Sequence, residues 1–592
     1  MRSFLSLTGL LPGLLFAGLA SAAPGTQELA ARAPGSCNTA SNRACWTDCF
    51  DIYTDYEEDT PPGTTVPYEF EITEQDNWLG PDGVVKTKVM LVNDQYPGPT
   101  IVANWGDTIS VKVTNKLRTN GTSIHWHGIR QLNNNINDGA NGVTECPLAP
   151  GKSKTYTFRA TQYGTTWYHS HFSAQYGNGV FGSIQINGPA SLPYDIDLGP
   201  FPIFDVYRRT ADELVEHTMH PSLPPPSDNI FINGTNIDPL NPSQGKYANV
   251  TLTPGKRHRL RLINPSVDNN FQVSLVGHQM TVIAADMVPV DAFTTDSLFM
   301  AVGQRYDVTI DASQKAANYW FNVTISGGGT VCGDTKNTEA AGVFHYAGAP
   351  GGLPTNPGTK PIDALCVDNL DLSPVVPRDV DLVGFTPCIH NNLSAGLDFH
   401  GTGPTGSHPR PTVTWTVNGN AMNVDWDRPV LEYILEGNTS YPRQDNIIVI
   451  DEKDTWTYWL VQNLARAAHP MHLHGHDFVV LGRSNAKSAS ANHTHFFKTE
   501  DIRSLKKTNP IRRDVTMLPA NGWVVIAFKT DNPGNWLMHC HIAWHVSGGL
   551  AVDFVERRDE QEALISAADK AAYEQTCSDW RDLHVSKIDS GL

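Results

Sequence analysis

The 592-residue chain predicts an all-β protein made of three consecutive β-sandwich domains. Three observations predict this. Short alternating strands bounded by Gly, Pro, Asn and Asp recur along the whole length, with Thr108-Ile-Ser-Val-Lys-Val113 the clearest case. A self-similar pair of segments appears three times, which is the mark of an internal repeat. Four His-x-His pairs, each set in an apolar or aromatic run, fall in the first and third copies and are missing from the second.

Taken in order, residues 1–22 carry Arg2, an apolar stretch from Leu10 to Leu19 and Ala20-Ser21-Ala22, the pattern of a secretory signal peptide with a small-residue cleavage site. Residues 23–32 are a candidate propeptide ending at Arg32. The first repeat then has GDTISVKVTNKL leading to SIHWHG and APGKSKTYTF leading to TTWYHSH. In the second, TPGKRHRLRLINPS leads to FQVSLVGHQM and VGQRYDVTI to NYWFNVT. The third has KDTWTYWLVQNL before HPMHLHG and PANGWVVIAFKT before NWLMHCH. Domains are therefore expected at 33–188, 189–372 and 373–592. A helical pattern from Glu560 to Arg581 is expected to pack on the third domain. Pro-rich 220–228 and Gly/Pro-rich 348–361 read as loops or linkers.

Export is consistent with the rest of the composition. No other apolar run is long enough to span a bilayer, so no membrane anchor is expected. A formal net charge of −18 argues against nucleic acid or an anionic membrane as partner. Nine cysteines leave one over in an oxidising compartment, and the other eight can form four bridges. Sequons at Asn120, Asn233, Asn249, Asn322, Asn392, Asn438 and Asn492 suit a secreted glycoprotein.

The histidines carry the chemistry. On a strand, residues i and i+2 project from one face, so each His-x-His pair aims two imidazoles into one volume. The pairs His125/His127, His169/His171, His472/His474 and His539/His541 supply eight candidate metal ligands. His469, Cys540 and His545 make the His₂Cys set that a blue electron-transfer copper requires, and Cys540 is the thiol that must stay free. Among 22 histidines about one such pair arises by chance. His493/His495, in a polar Ser/Ala/Asn-rich stretch, is read as that accident. Because Phe321-Asn322-Val323 stands in the middle copy where the others have His-x-His, copper is expected between the first and third domains. The second would serve as spacer and wall of a substrate cleft.

With HWHGIRQ at 125–131, DGANGVTECP at 138–147, WYHSHFSAQYGNG at 167–179, HPMHLHGHDF at 469–478, HCHIAWHVSGGL at 539–550 and a terminal DSGL, the chain resembles the multicopper oxidases and, within them, the laccases of ascomycete fungi. The resemblance implies cupredoxin-like domains and four copper ions. Type 1 copper would lie on His469, Cys540 and His545, and type 2 copper on His125 and His472. The type 3 pair would lie on His127, His169, His171, His474, His539 and His541. It implies one-electron oxidation of small aromatic substrates such as phenols, coupled to reduction of dioxygen to water, by a secreted monomer.

The resemblance also assigns Leu550 to the axial position of type 1 copper and Asp268 to proton acceptance beside His545. Trp415 and Pro224 or Pro225 take pocket-lining positions. Asp138, in an Asn-Asp-Gly turn, becomes an acid near the trinuclear site. Disulfides Cys37–Cys45, Cys146–Cys577 and Cys332–Cys366 follow from it. Cys49 and Cys388 depart from the family pattern and are expected to pair with each other. Oxidases of ascorbate, bilirubin or ferrous iron share the copper motifs, though Leu550 speaks against the members with Met there. A blue-copper electron carrier would need only the His₂Cys set.

Overall fold

The computed structural model describes residues 37–325, 332–361, 365–386, 391–400, 411–485 and 495–583. The leader and candidate propeptide, Cys388, Asn492, His493 and the DSGL end lie outside them.

Three successive stretches each build two large sheets, of four and four, six and five, and six and five strands, beside two small two-stranded sheets. The repeat holds in topology. Strands Thr108–Asn115, Arg257–Ile263 and Trp456–Asn463 each run parallel to an earlier strand, respectively Thr65–Leu79, Ile196–Val206 and Asn392–His400. Each is also antiparallel to a later one, Ser153–Arg159, Arg305–Asp311 and Trp523–Lys529. Alternation explains the first: Ile109, Val111 and Val113 are buried while Lys112 between them faces water.

The first domain has its own core around Trp105, Ile109, Trp126 and Tyr168. A second, larger core runs without a break from Phe201 and Phe271 of the middle stretch to Trp536 and Cys540 of the third. The thiol is thus embedded where two domains fuse, and the burial that stabilises their contact also dries the site.

The C-terminal helical segment differs from expectation in two ways. It is two helices, Arg558–Leu564 and Ala567–Arg581, because Ser566 is in extended conformation and its hydroxyl caps the second helix by accepting from Asp569 N at 3.1 Å. Its buried face, Tyr573, Cys577 and Trp580, packs with Phe172 and Ile136 of the first domain as well as Val430, Leu431 and Ile434 of the third. With the Cys146–Cys577 bond, the helix straps the first domain to the third.

Disulfides also join Cys37 to Cys45 and Cys332 to Cys366. Cys49 is exposed and has no disulfide among the described residues. Asn322 lies on a central strand at 2% exposure, its amide donating to Pro357 O at 3.4 Å. Asn233, Asn249 and Asn392 are exposed, and Asn120 and Asn438 half-buried. Among the described residues no helix is long and apolar enough to cross a membrane.

Candidate metal centre

Two strand pairs, one from each outer domain, face each other with the same register. His125 stands opposite His169 in the first domain, and His472 opposite His539 in the third. In the middle domain Phe321 stands opposite Leu275, an apolar pair that closes the same position with packing. The imidazoles also interleave symmetrically. His125 stacks on His474 and His127 on His472, both with ring centroids 3.9 Å apart. His541 Nε2 lies 3.2 Å from His127 Nδ1, and His474 Nε2 lies 3.2 Å from His539 Nε2. All eight rings therefore point into one volume between the first and third domains.

Backbone carbonyls set the tautomers. A carbonyl only accepts, so His125 Nδ1 donates to Asp138 O at 2.9 Å and His169 Nδ1 to Ser170 O at 3.0 Å. Likewise His472 Nδ1 donates to Asp514 O and His539 Nδ1 to Cys540 O, each at 2.9 Å. In each ring Nε2 is left with a bare lone pair. Those of His125, His169 and His472 are buried and lack a hydrogen-bond partner among the described residues. Lone pairs so placed are costly unless a cation takes them up. Burial, reinforced by the neighbouring imidazoles, pushes His127, His169, His171, His472, His474 and His541 well below the ordinary histidine range. Those six favour the neutral form and are ready to ligate without first losing protons.

A second cluster lies one residue away along the chain. Cys540 Sγ is 3.5 Å from His469 Nδ1 and from His545 Nδ1, and the two nitrogens are 3.0 Å apart. The short helix Ala543–Ser547 turns the chain back after Cys540 and delivers His545 to the same point. Burial brings His469 down to about 3 and holds the Cys540 thiol well above the usual range. A thiolate here requires a cation in place of its proton, and two imidazoles with one sulfur suit copper. Leu550 is fully buried, its N–H donating to His545 O at 3.0 Å and its carbonyl accepting from Cys540 N at 3.1 Å. The Trp415 ring covers His545 with centroids 4.0 Å apart.

Two aspartates brace the cluster. Asp138 has no exposed surface and places Oδ2 at 2.7 Å from His474 Nδ1 and Oδ1 at 3.3 Å from His125 Nδ1. Sequence reasoning missed the other, Asp514. Its Oδ1 is 3.3 Å from His127 Nε2, and Arg305 clamps both carboxylate oxygens at 2.6 and 2.5 Å. Burial raises Asp514 to about 7 despite the guanidinium. Arg305 comes from the middle domain, so that domain is more than a spacer. Gly303 contributes too: at φ +86°, an added Cβ would stand 3.1 Å from His127 and 3.2 Å from His541. Arg-Arg-Asp in an apolar run at 512–514 was the available signal, since buried charges need partners.

Asp268 is 8% exposed, on a loop whose Val267 O accepts from Ala543 N at 2.8 Å. Burial and the nearby Asp205 raise its carboxyl to about 7, against the lowering influence of Trp544 and Tyr207. Pro224 and Pro225 are half-buried on a loop tied to the Trp415 strand through Met219 O, which accepts from Val413 N at 2.8 Å. His495 is half-buried in a loop, its N–H donating to Asn521 O, and belongs to neither cluster. A cavity of about 80 Å³ reaches His171 and His539 past Val143, Met422, Leu537 and Val546.

Residues 73–191, 198–349 and 407–560 each match a multicopper oxidase family model. The chain belongs to the multicopper oxidase family. It is 57% identical to Laccase-1 of Melanocarpus albomyces, over 100% of this chain and 98% of the relative, and 55% identical to Laccase-2 of Podospora anserina, over 100% and 97%. The crystal structure of the laccase from Botrytis aclada superposes with a TM-score of 0.83 at 37% identity, covering 94% of this chain and 99% of that one. With this likeness to fungal laccases over its full length, the enzyme is a laccase, a copper oxidoreductase.

Proposed function

We propose that this laccase holds four copper ions and oxidises phenols and related aromatics one electron at a time. Type 1 copper is held by His469, Cys540 and His545, type 2 copper by His125 and His472, and the type 3 pair by His127, His169, His171, His474, His539 and His541. Bound copper supplies one-electron acceptance at the first set and reduction of dioxygen to water at the second. The observation that carries this reading is covalent: Cys540 sits between His539 and His541, so one tripeptide links the two ligand sets.

The surrounding residues then divide the work. Trp415, Pro224 and Pro225 line the approach to His545, where a flat aromatic ring can stack. Asp268 orients a phenolic hydroxyl and accepts its proton, a task suited to a carboxyl raised to about 7. Asp138 holds His125 and His474 and is the acid closest at hand for protons that dioxygen reduction consumes. The cavity past Val143 and Leu537 offers a small apolar molecule such as dioxygen a path to the histidines. The chain is read as a secreted monomer with domains at 33–188, 189–372 and 373–592 after removal of 1–22 and a propeptide at 23–32.

Oxygen uptake by purified, copper-loaded protein tests this, with phenols, aromatic amines, ascorbate, bilirubin and Fe(II) as reductants and the visible spectrum recorded alongside. Uptake with phenols and an intense blue band is expected. Uptake with Fe(II) alone would overturn the substrate assignment, and copper bound without uptake would overturn the catalytic one.

A further inference from the structure

Asp205 ends a strand of the middle domain, 63 residues before Asp268, yet its carboxylate closes the loop that carries it. Oδ1 accepts from Val267 N at 2.9 Å, and Oδ2 from Asp268 N and Asn269 N, both at 3.0 Å. Asp205 N in turn donates to Ser266 Oγ at 3.2 Å. One side chain thus caps three successive N–H groups, in a place where a buried carboxylate needs such donors. From the opposite side the same loop is held by the copper-ligand segment. Ala543 N donates to Val267 O at 2.8 Å, and Tyr176 OH reaches Ser266 O at 3.4 Å and His541 O at 3.3 Å.

We propose that Asp205 is the positioning residue for Asp268, fixing its distance from the His545 side of the site and placing a negative charge beside it. This rests on the proposed role of Asp268. The groups facing the two carboxylates are few. Lys86, 4% exposed and donating to Gly177 O at 2.9 Å, is a cation within the field of Asp205 and also of Asp212 and Asp228, and Tyr96, Tyr176 and Tyr207 feel the Asp205 carboxylate together with Asp82 and Asp228. Asp268 faces Asp205, Tyr207, Trp544 and Asp334. Burial with this like charge beside it accounts for the raised value of Asp268, and burial raises Asp205 itself to about 6 against its three N–H donors.

The test uses Asp205→Asn, which keeps the shape, removes the charge and turns an amide NH₂ toward an N–H. Two readouts separate position from charge. In the copper-free protein, the infrared band of a protonated carboxyl that vanishes in Asp268→Asn is titrated in both backgrounds. Its midpoint should fall by about one pH unit or more in Asp205→Asn. In the copper-loaded enzyme, kcat/KM for a phenol should fall on the order of tenfold to a hundredfold, carried chiefly by KM, while a dye that loses no proton stays within about twofold. An unchanged midpoint, or equal losses on phenol and dye, would overturn the proposal. Should Asp205→Asn fail to fold, Lys86→Met leaves all three hydrogen bonds in place and removes that cation. With Asp205 more readily protonated, the same midpoint should then fall, and one that does not move overturns the proposal. If Asp268→Asn itself spares phenol oxidation, the failure belongs to the role of Asp268 instead.

Discussion

Asp268→Asn should weaken catalysis and strengthen the fold at the same time, with a pH dependence that can be worked out. In the folded chain the carboxyl is raised from 3.8 to about 7, chiefly by burial. Because the folded state binds this proton more tightly than the unfolded state, the contribution is complete below about pH 4 and is lost as pH rises through about 7. At about 1.4 kcal/mol for each pH unit between those two values, the ionised carboxylate costs on the order of 4 kcal/mol above pH 7. Asparagine has the same shape and never ionises. The variant should therefore match the parent near pH 4 and exceed it increasingly up to pH 8. The assay is thermal unfolding at pH 4, 6 and 8 on copper-free and copper-loaded protein. Copper beside His545 would favour the carboxylate and narrow the gap in the loaded form. Phenol turnover should fall by up to about 10²-fold, while a dye that loses no proton is spared. A stability gap that is flat with pH, or that favours the parent at pH 8, would refute the buried-carboxylate argument whatever happens to the rate.

Cys540→Ser should abolish the blue absorption and turnover with the fold retained, since no thiolate remains to ligate copper; retention of the band, read by visible spectroscopy, would sink the assignment. Leu550→Met should lower the type 1 reduction potential because a thioether stabilises Cu(II), with about 59 mV for each tenfold change in equilibrium constant; redox titration of the blue band decides it. Arg305→Met should destabilise the protein by about 3–5 kcal/mol by leaving Asp514 buried and unpaired, as denaturant unfolding would show. Adding Asp514→Asn to that variant should restore much of the loss, and no recovery would mean that packing of Arg305, and not its charge, is what matters.

Much of this molecule is legible in the chain because its signals are local. Period-two alternation places Ile109, Val111 and Val113 on one face without help from elsewhere. His-x-His on a strand fixes two imidazoles side by side whatever the rest of the fold does, and Cys540 between two histidines joins the clusters by covalent bonds alone. Even the apolar pair that stands in the middle domain in place of paired histidines is announced by Phe321-Asn322-Val323. What needed the tertiary structure depends on contacts across hundreds of residues, for which a sequence has no period. Arg305 meets Asp514 from another domain, and Asp205 reaches the Asp268 loop through three N–H groups. Cys577 and Trp580 lie against the first domain, not only the third. Asn322 carries a sequon yet lies inside a sheet, since a tripeptide motif contains no information about burial. The candidate ligands could be named from neighbours along the chain, whereas the charges that brace them are chosen by burial, which only the folded chain decides.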